Sequence, residues 1–186
     1  MSSEAYRQAL RRRPLFTPLY ASVALLTAGV LVLGWIGYGL WQPPGTVIVV
    51  RHTEKAPGSG DDPTLSDAGI ARAQRVATVL AAAGVDAIYA TQYRRTVETA
   101  TPLAERLSLP LHVYDAGGTQ GLLESLDDRH RAETVVVVGH SNTVPEIVEA
   151  LSGEDVGPIG EERYGDVFVV VRPRWGRATV TRLFVE

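Results

Sequence analysis

Arg51 and His52 stand side by side directly after the apolar run Thr46-Val47-Ile48-Val49-Val50. A histidine and a fixed cation where a buried strand empties into a loop place a nucleophile beside an anion holder, as phosphoryl transfer requires. A second histidine, His140, follows Val135-Val136-Val137-Val138-Gly139 in the same way, and Arg95 follows a third apolar run at 86–90. An imidazole attacks phosphorus only when neutral; nearby arginines disfavour the imidazolium and hold the phosphoryl oxygens as charge redistributes. His140 reads as a proton donor to those oxygens. Ser141 follows it at the start of a helix whose N-terminal N–H groups favour anions. The leaving oxygen needs a proton and the attacking water a base. Asp115, just past the run 111–114, is the carboxyl placed for both tasks, with Glu54 and Glu124 as other candidates. The candidate set is therefore His52 and Asp115 for catalysis, with Arg51, Arg95, His140 and Ser141 for phosphate binding.

These residues need a scaffold that ends several strands at one place. Short apolar runs at 46–50, 86–90, 111–114 and 134–138 have the composition of strands buried on both faces of a parallel sheet. Helical patterns lie between them. Ser66 caps a helix with Ile70, Ala73, Val76, Ala77 and Leu80 at helical spacing and Gly84 as a stop. Val97, Ala100, Leu103, Ala104 and Leu107 mark a second helix containing Pro102, and 120–130 a third. Thr143-x-x-Glu146 reads as a capping box ahead of a fourth, which Gly153 closes. Two final runs, 167–172 and 177–185, flank the turn Pro173-Arg174-Trp175-Gly176 as an antiparallel hairpin. The expectation is an α/β fold, a three-layer α/β/α sandwich with a mostly parallel sheet and a C-terminal antiparallel hairpin. In such folds ligands bind beyond the carboxyl ends of the strands, where His52, His140 and Arg95 all fall. The Gly/Asp/Pro-rich loop 55–63 is expected to rim the site.

The rest of the chain limits its setting. With 186 residues, one catalytic domain plus an appendage is expected. There is no cysteine, which removes thiol nucleophiles, disulfides and Cys-based zinc sites. The net charge is −3, but the tail 1–18 carries Arg7, Arg11, Arg12 and Arg13 against Glu4; the remainder is about −6, too acidic for a general nucleic-acid binder. Between Leu19 and Leu40 no residue is charged, and about 20 apolar residues suffice to cross a bilayer as a helix. Tyr20 near one end and Trp35, Tyr38 and Trp41 near the other match interfacial anchors. The expected organisation is a cytoplasmic basic tail at 1–18, a transmembrane anchor at 19–41, a linker at 42–45 and a catalytic domain at 46–186. Positive charge before the span puts that domain outside the inner membrane, facing the periplasm. A cleaved signal peptide fits less well, because the segment is long and lacks an A-x-A site. Gly29 and Gly34 would permit helix pairing, and the oligomeric state stays open.

The ordered motifs resemble the histidine phosphatase superfamily, the phosphoglycerate-mutase-like phosphatases, in its compact branch. The matching pieces are Arg51-His52, Leu65-Ser66-x-x-Gly69, Arg95-Thr96-x-x-Thr99-Ala100 and Val138-Gly139-His140-Ser141, spread over residues 46 to 185. The resemblance implies a phosphoglycerate-mutase-like fold and His52 as the nucleophile. It also implies Arg51, Arg95 and His140 as phosphate ligands, and neither metal nor cofactor. Arg51-His52-Thr53-Glu54-Lys55 is similar to a subgroup that includes envelope phosphatases acting on lipopolysaccharide sugar phosphates. The insertion that mutases carry after the third strand is missing, which argues for a phosphatase, and the family's usual Glu proton donor has no clear counterpart. Three other readings compete: a phosphohistidine-protein phosphatase, a non-catalytic phosphate-binding domain, and a serine hydrolase built on Gly139-His140-Ser141. The last lacks the closing glycine of a nucleophile elbow, since Thr143 stands there.

Overall fold

The structure is a computed structural model and describes residues 19–41, 43–58 and 60–186. The expected basic tail, and Gln42 of the expected linker, lie outside the described residues. The chain divides into two compact units, Met1–Gln42 and Pro43–Glu186. In the first, helix α1 (Leu19–Leu40) leaves Leu25, Leu26 and Leu31 exposed, and the stretch Leu19–Gly39 is long and apolar enough to cross a membrane.

The second unit is built on six strands: β1 (Gly45–Arg51), β2 (Ala87–Thr91), β3 (Leu111–Tyr114), β4 (Thr134–Gly139), β5 (Asp166–Arg172) and β6 (Thr179–Phe184). Their order in the sheet is β3-β2-β4-β1-β5-β6. β3, β2, β4 and β1 run parallel, and β5 and β6 continue the sheet as an antiparallel hairpin. The apolar runs are continuous because β1 and β4 are covered on both faces. Val47, Val49, Val135 and Val137 meet one layer; Ile48, Val50, Val136 and Val138 meet the other. Helices α2 (Asp67–Leu80) and α3 (Arg94–Leu107) form one layer through Val76, Leu80, Ala100 and Leu103. Helices α4 (Thr119–Arg129) and α5 (Thr143–Ser152) form the other through Leu122, Leu126, Val144 and Ile147. The three-layer α/β/α architecture is as expected.

Three local expectations are corrected. β3 is not buried on both faces, since His112 and Val113 are exposed; it is the edge strand, so only one neighbour covers it. Ile70 points outward at 52% exposure, because the buried face of α2 runs through Gly69, Ala73, Val76, Ala77 and Leu80. Thr143 is the first residue of α5 rather than its cap, and its hydroxyl accepts the His140 N–H at 2.9 Å. Pro102 sits inside α3, and Ser66 caps α2 as expected, accepting the Gly69 N–H at 3.1 Å.

Gly69 explains the rotated face of α2. A methyl group there would overlap the Glu54 carbonyl, so α2 can approach the loop after His52 only with glycine at this position. Gly69→Ala is expected to destabilise the domain by about 1–3 kcal/mol through forced displacement of that backbone. Gly121→Ala, on α4 with nothing within 4 Å of the added carbon, should stabilise by up to about 1 kcal/mol. Urea unfolding of the two variants checks both signs.

Candidate active site

Parallel pairing sets the site. Arg51 is the register partner of Gly139, so His52 and His140 leave adjacent strands at the same level. The His52 N–H donates to the Gly139 carbonyl at 2.9 Å, and the two imidazole centroids lie 5.4 Å apart. β2 lies on the other side of β4, and α3 begins at Arg94 soon after β2 ends, which brings Arg95 to the same place. The Arg95 Nη2–H points at His140 Nδ1 at 3.4 Å, and its guanidinium lies over the Tyr93 ring at 4.4 Å. Arg51, His52, Arg95, His140 and Ser141 all line one cavity of about 610 Å³. Residues of the loop 55–63, including Lys55 and Asp61, form its rim as expected.

Both histidines are buried and neutral. Burial is the main cause that pushes His52 down to about 3; the Thr53 carbonyl opposes it, and Arg51, His140 and Arg95 add to it. His140 is pushed down to about 4 by burial, then by Arg95 and Arg51. Hydrogen bonding also selects the tautomers. His52 Nδ1 lies 2.8 Å from the Thr53 carbonyl, which can only accept, so Nδ1 carries the proton and the lone pair is on Nε2. His140 Nδ1 faces an arginine, which can only donate, so its proton is on Nε2, bonded to Thr91 Oγ1 at 2.8 Å. Thr91 in turn meets Thr96 Oγ1 at 2.8 Å, and Thr96 donates to the Tyr93 carbonyl at 2.6 Å. His52 therefore presents a nucleophilic lone pair. His140, read from sequence as a ready donor, can donate to a phosphoryl oxygen only after Nδ1 gains a proton.

Arg51 is 1% exposed yet charged. Its Nη1 donates to the Gly160 and Arg163 carbonyls at 2.7 and 3.0 Å, and its guanidinium lies 4.4 Å over the Tyr164 ring. Its Nε–H is buried with no hydrogen-bond partner among the described residues. Thr53 and Thr99 brace the loop that follows His52. The Thr53 N–H donates to Thr99 Oγ1 at 3.1 Å, and the Thr53 hydroxyl donates to the Gly69 carbonyl at 2.9 Å.

The carboxylates fall differently from expectation. Asp115 is exposed and does not line the cavity; it accepts the Gly117 N–H at 2.8 Å and the Gln92 amide at 3.4 Å, closing the turn after β3. Glu54 pairs with Arg72 at 2.8 Å and also lies outside the lining. Glu161 and Glu162, which the motifs did not mark, do line it, as do Tyr93 and Tyr164. Ser141 Oγ donates to Glu161 at 3.1 Å rather than to a histidine, so the Ser–His pair of a serine hydrolase is absent among the described residues.

Residues 47–116 match the family model of the histidine phosphatase superfamily, branch 1. The domain has the histidine phosphatase fold. Mycobacterial glucosyl-3-phosphoglycerate phosphatase superposes with a TM-score of 0.63 at 16% identity, covering 77% of this chain and 100% of its own. The protein histidine phosphatase SixA complexed with tungstate gives 0.62 at 19%, covering 75% and 96%. A putative phosphohistidine phosphatase SixA from Agrobacterium tumefaciens gives 0.58 at 23%, covering 74% and 97%. No curated protein sequence matches the chain. The resemblance read from the motifs thus holds at the level of family model and fold.

The neutral histidines tie stability to pH. The unfolded chain protonates them near the ordinary value of 6.5, while the folded domain resists until about 4 and about 3. Their contribution is complete above about 6.5 and is lost as pH falls through that window, because the unfolded state binds more protons there. The urea midpoint of the native domain should fall between about pH 7 and about pH 4.5, and fall less in His52→Gln.

Proposed function

We propose that the chain is a metal-independent phosphomonoester phosphatase working through a phosphohistidine on His52. The observation that carries this reading is the imidazole with Nδ1 bonded to the Thr53 carbonyl, leaving the Nε2 lone pair in a cavity lined by Arg51, Arg95, His140 and Ser141. The family match and the phosphatase neighbours support it. Arg51 and Arg95 hold the phosphoryl oxygens while Nε2 attacks phosphorus; Ser141 and a protonated His140 add hydrogen bonds. Water then releases inorganic phosphate. Asp115 takes part by ordering the turn that presents Ala116 to the cavity.

The same proposal places the domain on the far side of a membrane from the basic tail, anchored by α1, with envelope sugar or lipid phosphates as substrates. Its support is the uncharged 22-residue helix following a tail with four arginines. One structural neighbour is named for a glucosyl phosphoglycerate, a phosphorylated sugar derivative. The SixA neighbours favour a second reading, phosphohistidine-protein phosphatase, whose substrates would require a cytoplasmic domain.

His52→Ala should abolish turnover of an aryl phosphate with EDTA present, and wild type should trap an acid-labile phosphoenzyme. Undiminished turnover in the variant overturns the assignment. Arg95→Ala should lower kcat/KM by about 10²–10³, the cost of one preorganised donor to the transition state. A reporter that matures only outside the cytoplasm, fused after Glu186, should be active; an inactive, expressed fusion favours the second reading.

A further inference from the structure

The geometry points to Glu161 as the catalytic residue that protonates the leaving oxygen and then takes a proton from the attacking water. This rests on the phosphatase reading above.

Glu161 belongs to the stretch between α5 and β5, which has no regular structure but is held firmly at the cavity. Arg51 Nη1 clasps the carbonyls of Gly160 and Arg163 on either side of it. Arg163 is bonded in turn to the buried Asp166 at 2.5 and 3.1 Å, and Asp166 is also gripped by Arg182. From that backbone the Glu161 side chain reaches across the cavity. Its Oε1 accepts from Ser141 Oγ at 3.1 Å, and its Oε2 lies 3.5 Å from Arg51 Nη2 and 3.8 Å from Lys55 Nζ. Arg51 and Ser141 are two of the groups proposed to hold the phosphoryl oxygens. A phosphoryl group seated on them therefore lies beside this carboxyl.

Direction decides its part. In-line displacement puts the leaving oxygen opposite the attacking nitrogen. His52 is 4% exposed, whereas the Glu161 side chain is 69% exposed, so the nucleophile is at the floor and Glu161 stands toward the mouth, where the leaving oxygen must emerge. The other carboxyls are otherwise occupied or elsewhere. Asp62 accepts the Arg94 N–H at 2.9 Å and faces Arg95 at 3.7 Å, and Glu54 is paired with Arg72. Asp61 and Glu162 line the cavity, but Glu161 is the one that touches Arg51 and Ser141 among the described residues.

The two steps balance without a co-reactant. First, the His52 Nε2 pair forms the N–P bond, the P–O bond to the leaving group breaks, and that oxygen takes the Glu161 proton, leaving as an alcohol. Second, a water oxygen bonds to phosphorus and passes a proton to the Glu161 carboxylate. The N–P bond breaks with its pair returning to Nε2, and inorganic phosphate departs.

The test compares full-chain wild type with Glu161→Gln on two substrates, 2,4-dinitrophenyl phosphate and glycerol phosphate. Dinitrophenolate leaves without a proton; glycerol oxygen does not. The variant should lose about 10²–10⁴ in kcat/KM on glycerol phosphate, the span of general acid catalysis, and change by less than about tenfold on the aryl ester. Its kcat on the aryl ester should fall, with a stoichiometric burst of dinitrophenolate and accumulation of the phosphoenzyme, because the base for the second step is missing. Equal losses of kcat/KM on both substrates would assign Glu161 to arranging the cradle and overturn the proposal, as would no loss on either. Wild type inert toward both esters would overturn the phosphatase reading itself, and this proposal with it.

Discussion

Arg51 is the constraint around which the domain is arranged. A guanidinium that is 1% exposed is tolerable only where its N–H groups find acceptors, because an unpaired buried charge costs several kcal/mol. Two of those acceptors are carbonyls more than a hundred residues downstream, at Gly160 and Arg163. Strand end and distant loop are therefore one unit: the loop closes the cavity because Arg51 needs its carbonyls, and Arg51 keeps its place because the loop supplies them. Replacement by lysine would keep the charge and lose the fork that reaches two carbonyls.

The same burial governs the histidines, with opposite consequences. His52 is oriented by its own neighbour's carbonyl, and Thr53 is itself held by Thr99 and Gly69. His140 is oriented through Thr91, Thr96 and the Tyr93 carbonyl, a chain joining β2 to the start of α3, and its cavity-facing nitrogen meets Arg95. Two histidines with similar burial thus differ because their partners differ: the lone pair of His52 is on Nε2, and that of His140 is on Nδ1, facing Arg95.

Much of this was legible in the sequence where a single element decides the outcome. The short, β-branched apolar runs around Val47–Val50 and Val135–Val138 have the composition of strands covered on both faces, and their ends carried His52 and His140 to one edge. Where a second element decides, local pattern misled. Ile70 falls on the apolar face by spacing, yet the close approach of Gly69 to Glu54 rotates that face away from it. The run at β3 has the composition of a buried strand and lies at the sheet edge, because strand order is a property of the whole chain. Thr143 has the right offset to Glu146 for a capping box, but its hydroxyl is taken by the His140 N–H.

The carboxylates show the same limit most sharply. Asp115 has the right chemistry and follows a strand on the correct side of the sheet, but a side chain in a turn goes where the turn's hydrogen bonds send it. Here the Gly117 N–H and the Gln92 amide claim it. Glu161 sits in a stretch with no periodicity, no cap and no motif, so nothing in its own surroundings marks it. Its position is written instead in Arg51, which reads as a phosphate ligand and spends half its guanidinium on the backbone around Glu161. A residue buried at a strand end with more donors than one anion can use implies a second partner in the chain. The carbonyls that satisfy Arg51 flank the carboxyl that the motifs omit.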